Sequence, residues 1–233
     1  MNRTLVLDSR ASDLTKKTLI SMGYNIVYMP KNKCFDEAIC AHPDIFMTEI
    51  CGTWFIDNAV KEMFTFLDSA IFCEREVPDN EKMKYPFDCA FNCVQVGNHL
   101  ICNQKITHKN IIEFAIENQM NIINTKQGYS KCSICKVSEN AIITEDKQIC
   151  DLAVKNGINV LHIKKGYVKL YGYDYGFVGG CSGLIENNLL AFNGDVRNHP
   201  DADAIIDFCH ASNVEVVCLN DDLLYDIGTI IRI

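Results

Sequence analysis

The chain has 233 residues, 48% of them hydrophobic and 22% charged, the proportions of a globular protein able to bury a substantial core. Its net charge of −8 argues against a general nucleic-acid binder, which needs a cationic face for phosphates, and suits a small cationic ligand. No apolar run approaches the ~20 residues that span a bilayer, so no membrane partner is expected.

Taken in order, Thr4–Leu7 reads as a strand, followed by a helix from Ser12 or Asp13 to Met22, a stop at Gly23 and a strand Asn25–Met29. A second unit opens at His42-Pro43-Asp44, with strands Ile45–Thr48 and Thr53–Ile56, a helix Ala59–Phe66 and a closing strand Ala70–Cys73. Glu74–Tyr85 is highly charged and holds a proline, which predicts an exposed loop. The third unit has a hairpin, Val94–Val96 and His99–Cys102, around Gly97-Asn98. Thr107 then caps a helix to Asn118, and Asn121–Thr125 follows as a strand.

The fourth unit repeats this order, with KCSICKV and AIIT, a helix from Asp146 to Asn156 and a strand Asn159–Ile163. Shifted by 38 residues, Ile111–Tyr129 lies over Ile149–Tyr167 with seven of 19 positions identical, the mark of a repeat architecture. A Gly/Tyr-rich crossing, Gly166–Gly180, leads to the fifth unit. There GGCSGLI and LLAF precede a helix with Pro200 at its first position and a strand Val214–Leu219. The chain ends on Asp226–Ile233 as one strand with no helix after it.

The count is five strand–strand–helix–strand units, the first lacking its leading strand and the chain's last strand unused. Pairing the two removes both open edges. The expected architecture is a single α/β domain, a five-fold pseudosymmetric propeller of ββαβ repeats closed by the C-terminal strand. Its repeats are 1–35 with 226–233, then 36–84, 85–128, 129–170 and 171–225.

This arrangement resembles the pentein fold, the α/β-propeller of dimethylarginine dimethylaminohydrolase, arginine deiminase and the amidinotransferases, which also includes a non-catalytic ribosome anti-association factor. The segment CAHPDIFMTEICGTWFI looks like the one in which those enzymes place an acidic group for the guanidinium. The resemblance therefore implies Asp44 and Glu49 as substrate carboxylates, since a carboxylate pairs bidentately with a planar guanidinium. The family's nucleophilic Cys stands at the start of the closing strand, where this chain has Asp226, Ile227 and Gly228. Its catalytic His matches the setting of His162, although by order of units it falls at Asn124.

The residues themselves leave several readings open. Thirteen cysteines are spread along the chain, and MNRTLVLDSR lacks a signal-peptide pattern. Reduced thiols in a cytoplasmic protein are therefore expected, many of them small buried hydrophobes. In Cys132-Ser-Ile-Cys135, the strand setting turns the two thiols to opposite sides, one to the core and one to the ring centre or solvent. No metal or other cofactor is expected.

Cys181, among glycines at a strand start, is a candidate nucleophile to which the sequence ties no base, or else a small residue in a tight crossover. His162 is read separately as a catalytic or a hydrogen-bonded structural histidine. Asp44, Asp88, Asn92, Cys181 and Asp226 all fall near inner-strand starts, which converge on the axis of a ring. They either line a central acidic pocket or are turn formers. Asp195 and His199 form a polar pair or a helix-cap sequence. Two functions follow: binding of a small cationic or guanidino ligand or a partner without catalysis, or Cys-dependent hydrolysis or amidino transfer on a guanidino compound. The oligomeric state is left open.

Overall fold

A computed structural model describes residues 3–77 and 83–233. The middle strand of each unit is mostly apolar and largely buried because both its faces are covered, the pattern of buried parallel strands. Unit one has β1 (Thr4–Asp8), α1 (Asp13–Ser21) and β2 (Asn25–Met29). Unit two has a single turn α2 (Pro43–Phe46), β3 (Met47–Ile50), β4 (Thr53–Asp57), a 3-10 helix Asn58–Met63 and β5 (Ala70–Cys73). Unit three has a 3-10 turn Phe87–Cys89, β6 (Val94–Val96), β7 (His99–Cys102), α3 (Lys109–Glu117) and β8 (Asn121–Asn124). Unit four has β9 (Ile134–Ser138), β10 (Ala141–Thr144), α4 (Lys147–Lys155) and β11 (Asn159–His162). Unit five has β12 (Ser182–Glu186), β13 (Leu189–Phe192), a 3-10 turn Val196–Asn198, α5 (Ala202–Ala211) and β14 (Glu215–Cys218), after which β15 (Ile231–Arg232) ends the chain.

Each unit makes one three-stranded sheet, and the first is ordered β15-β1-β2, so the C-terminal strand completes the N-terminal unit. In all five sheets the inner strand runs antiparallel to the middle one, and the outer strand returns parallel to it after the crossover. The inner strands neighbour one another in the order β3, β6, β9, β12, β15. The ring closes where the Asp44 N–H donates to the Gly228 carbonyl at 3.1 Å. This is the five-fold α/β-propeller the repeats imply.

The local chemistry follows the repeat. Asp146 accepts from the Ile149 N–H to cap α4, and α3 is capped by His108, whose ring accepts from the Asn110 N–H. Thr107, the expected cap, sits one residue too early. Four helices stop on a left-handed residue, namely Gly23, Gln119, Gly157 and Asn213. The expected helix Ala59–Phe66 is instead a 3-10 helix capped by Asp57, too short to sustain α-helical pairing. α5 starts after Pro200, because the His199 ring accepts the Asp201 N–H and delays the first turn.

The last stretch pairs only at Ile231–Arg232. Residues 226–230 leave the sheet to wrap the ring centre, with Gly228 and Thr229 both at positive φ. In the charged stretch after β5, residues 78–82 lie outside the described residues. Arg75, however, is buried rather than exposed, its guanidinium paired with Asp57 at 2.8 Å. All thirteen cysteines are free, and ten are buried. No helix among the described residues is long and apolar enough to cross a membrane.

Candidate functional site

Because inner strands start at the axis, units two, three and four and the chain's end deliver short polar segments there. Unit two brings His42 and Asp44, unit three Asn92, unit four Cys132, and the chain's end Asp226 and Thr229. Asp44 is fully buried. Its Oδ2 accepts from the Thr229 hydroxyl at 2.7 Å and from the Cys132 thiol at 3.1 Å, while Oδ1 has no partner. Asn92 braces the group, accepting the Lys131 and Cys132 N–H groups and donating to the Asp44 carbonyl. Asp226 accepts the Phe177 N–H and the Gly228 N–H, both at 2.9 Å. The crossing segment fits over it only because Gly180 lacks a side chain, since a Cβ there would lie 2.1 Å from Asp226 Oδ1.

His42, 1% exposed, lies between two carboxylates: Nε2 is 3.8 Å from Asp8 and Nδ1 is 3.7 Å from Asp226. Neither ring nitrogen makes a hydrogen bond. Asp8 is held by Arg10, whose Nε and Nη2 reach both carboxylate oxygens while its guanidinium also donates to the Glu37 and Ala38 carbonyls.

Burial, then repulsion from Asp44, pushes the Asp226 carboxyl up to about 7, and burial does the same for Glu145. Burial and then the Arg10 cation push His42 down to about 3, so its imidazole is neutral. Between roughly pH 4.5 and 6.5 the folded chain keeps two carboxyl protons that the unfolded chain has lost, and lacks one imidazole proton that the unfolded chain holds. The carboxyl contribution to stability is full below the unfolded carboxylate pKa and is lost as pH rises toward 7. The His42 contribution runs oppositely, being present above the unfolded imidazole pKa and lost as pH falls toward 3. Asp44 is raised in the same sense as these two carboxyls and His199 lowered in the same sense as His42, so three groups oppose two. Thermal stability is therefore expected to fall between about pH 5 and 6.5, with a shallower slope in Asp226→Asn. Calorimetric melts across that range check this; a rising wild-type profile would contradict it.

The centre meets solvent on two sides. Beside Asp226 a cavity of about 320 Å³ is lined by Asp8, Arg10, Lys31, Glu37, Tyr171 and Tyr225. At the other end of the axis a cleft of about 840 Å³ has Thr229, Lys131 and Ser182 on its lining.

Of the residues singled out from sequence, Asp44, Asn92 and Asp226 meet at the centre. Glu49 does not: on β3 it is exposed and lines the far cleft. Asp88 is buried but already engaged, accepting from the Tyr129 hydroxyl at 2.8 Å and the Cys89 thiol at 3.2 Å. The structure gives the Cys181 thiol a carbonyl partner and, among the described residues, no imidazole. Cys181 is 0% exposed, packed in the hydrophobic core with its thiol donating to the Val178 carbonyl, and burial raises its pKa well above the usual value. His162, expected in a buried strand, ends the outermost strand of its sheet and is exposed. Cys135 faces the core and Cys132 the centre. Asp195 and His199 serve as caps for the Arg197 and Asp201 N–H groups.

Sequence reasoning missed His42, Asp8 and Arg10 as central groups, whereas it had one thiol of the Cys132–Cys135 pair turned to the core and the other to the ring centre or solvent, and Cys132 is the one at the centre. The signal for Asp8 and Arg10 was an Asp directly after the apolar run Leu5-Val6-Leu7, with an Arg two residues on.

One family model, described as a family of unknown function (DUF6873), matches residues 6–231. No curated protein matches the chain in sequence. Among solved structures, a dimethylarginine dimethylaminohydrolase adduct with 4-chloro-2-hydroxymethylpyridine is similar at a TM-score of 0.57 and 11% identity, over 95% of this chain and 93% of that one. SxtG, an amidinotransferase from Microseira wollei in the saxitoxin biosynthetic pathway, is similar at 0.54 and 10%, over 92% and 87%. An agmatine deiminase from C. jejuni is similar at 0.51 and 11%, over 93% and 86%. These likenesses establish the pentein fold.

Proposed function

This chain belongs to the DUF6873 family, and from that premise and its pentein fold we propose that it binds a small cationic, guanidino-type ligand beside the acidic centre, without covalent chemistry. The observation that carries the reading is the mouth cavity itself. Asp8, Glu37 and Asp226 line it against the two cations Arg10 and Lys31, Tyr171 and Tyr225 give it π-faces, and the chain's own Arg10 guanidinium is already held there by both oxygens of Asp8. A cation reaching Asp226 would stabilise its ionised form, which burial otherwise disfavours. The names of the similar enzymes carry dimethylarginine, agmatine and amidino groups, which agrees with that ligand class.

Against catalysis stands the absence of a thiol–imidazole pair: among the described residues neither Cys132 nor Cys181 hydrogen-bonds an imidazole. Titration calorimetry with methylguanidinium tests the reading. Saturable binding is expected, weakened about tenfold or more in Asp226→Asn through loss of a charge-assisted contact. No heat at high millimolar ligand, or equal affinity in the variant, would refute it.

One observation favours a second reading, a divergent Cys-dependent hydrolase or amidinotransferase. The Cys132 thiol donates to Asp44, so a guanidinium seated on that carboxylate would sit against a sulfur. In the resting protein, burial and then Asp44 hold this thiol protonated, its pKa well above the usual value.

A further inference from the structure

Away from the centre, a groove of about 830 Å³ runs between units four and five. Glu145, immediately after β10, is 8% exposed and lines it. Its Oε1 accepts the Val178 N–H at 2.9 Å, but Oε2 is buried with no partner. A buried carboxyl oxygen without a partner costs on the order of 1–3 kcal/mol or more, and a cationic donor arriving at this atom would both supply the missing hydrogen bond and stabilise the ionised form that burial disfavours.

Two further features define that donor. Only one oxygen is free, which suits the single contact of a compact ammonium better than the two-oxygen fork of a guanidinium. The chain leaving β11 lines the same groove with exposed Lys164 and Lys165, and the Lys165 charge favours the Glu145 anion. Lys164 is already paired with Asp201 at 3.3 Å, leaving Lys165 for an anion. The rings of Tyr175 and Phe177, edge to face at 6.2 Å, line the same groove.

We propose that this groove is a second site, taking a small ω-amino acid. Its ammonium donates to Glu145 Oε2, its methylenes lie against Tyr175 and Phe177, and its carboxylate meets Lys165. The site is separate from the Asp226 cavity, and its ligand has a different head group.

Ligand-observed NMR with 5-aminovalerate tests this, using valerate and 4-guanidinobutyrate as comparisons and the Glu145→Gln and Lys165→Met variants. Wild type is expected to bind 5-aminovalerate more tightly than either comparison ligand. Each variant is expected to weaken it about tenfold, the loss of one charge-assisted contact. Lys165 is exposed, so its replacement leaves the core intact and still decides the question if Glu145→Gln folds poorly. Absence of 5-aminovalerate binding, tighter binding of the guanidino compound, or unchanged affinity in Lys165→Met would overturn the proposal.

Discussion

Arg75→Met is expected to cost about 3–5 kcal/mol of folding free energy, the range for breaking a buried ion pair from one side. The side chain joins units two and three. Nε donates to Asp57 at 2.8 Å, Nη1 to the Phe87 and Asp88 carbonyls, and Nη2 to the Ile45 carbonyl at 2.7 Å. Its flat faces lie over the rings of Phe35 and Phe91. Methionine keeps some packing but strands the Asp57 carboxylate, which is 4% exposed, along with three carbonyls. For a chain of this size the loss is a melting point lower by roughly 10 °C. Removing the stranded charge as well, in Arg75→Met with Asp57→Leu, should recover part of it; the recovery is incomplete because Asp57 also caps the helix that follows. Thermal melts of the two variants check this. A drop below about 1 kcal/mol in the single variant would mean that the pair is effectively solvated.

The second large effect is at the ring closure. Gly228 has φ +68°, and a Cβ there would lie 2.1 Å from the His42 Cβ and 2.5 Å from its Cα. The clash is with backbone and a buried ring, so no side chain can swing away. Gly228→Ala therefore combines left-handed strain with overpacking, together about 3–5 kcal/mol. It also pushes on the carbonyl that accepts the Asp44 N–H and joins the chain's end to unit two. Gly157→Ala is the matched comparison: its φ is +80° but the space around it is open, so only about 1 kcal/mol is expected. Urea unfolding of the two variants separates conformational strain from the close approach. Equal losses would show that His42 can give way.

Much of the ring is legible in the sequence because each unit repeats the same physical instructions. A capped amphipathic helix over Ile149 and Ala153 recurs over Ile111 and Ala115, each ended by a left-handed residue and followed by a short apolar strand. Asp44, Asn92 and Asp226 were legible for a related reason, since strand starts converge in a closed ring. What periodicity cannot give is the direction of a single side chain. Asp88 sits in a 3-10 turn that aims it at Tyr129, and Cys181 turns into the core between sheets. His162 follows the repeat faithfully, but its strand is the outermost, so its slot is exposed. His42 was hidden beside the more conspicuous Asp44. Arg75 was hidden in a stretch whose charge density reads as surface, although one arginine with enough acceptors can be buried.

That the acidic centre receives a cation without attacking it is tested most directly by treating the protein with 2-chloroacetamidine, a planar cation carrying an electrophilic carbon, and mapping modified cysteines by mass spectrometry. The expected result is slow labelling confined to the exposed thiols Cys34 and Cys51, with Cys132 and Cys181 unmodified. Rapid, selective labelling of Cys132 that methylguanidinium prevents would contradict it and make the centre a site of thiol catalysis.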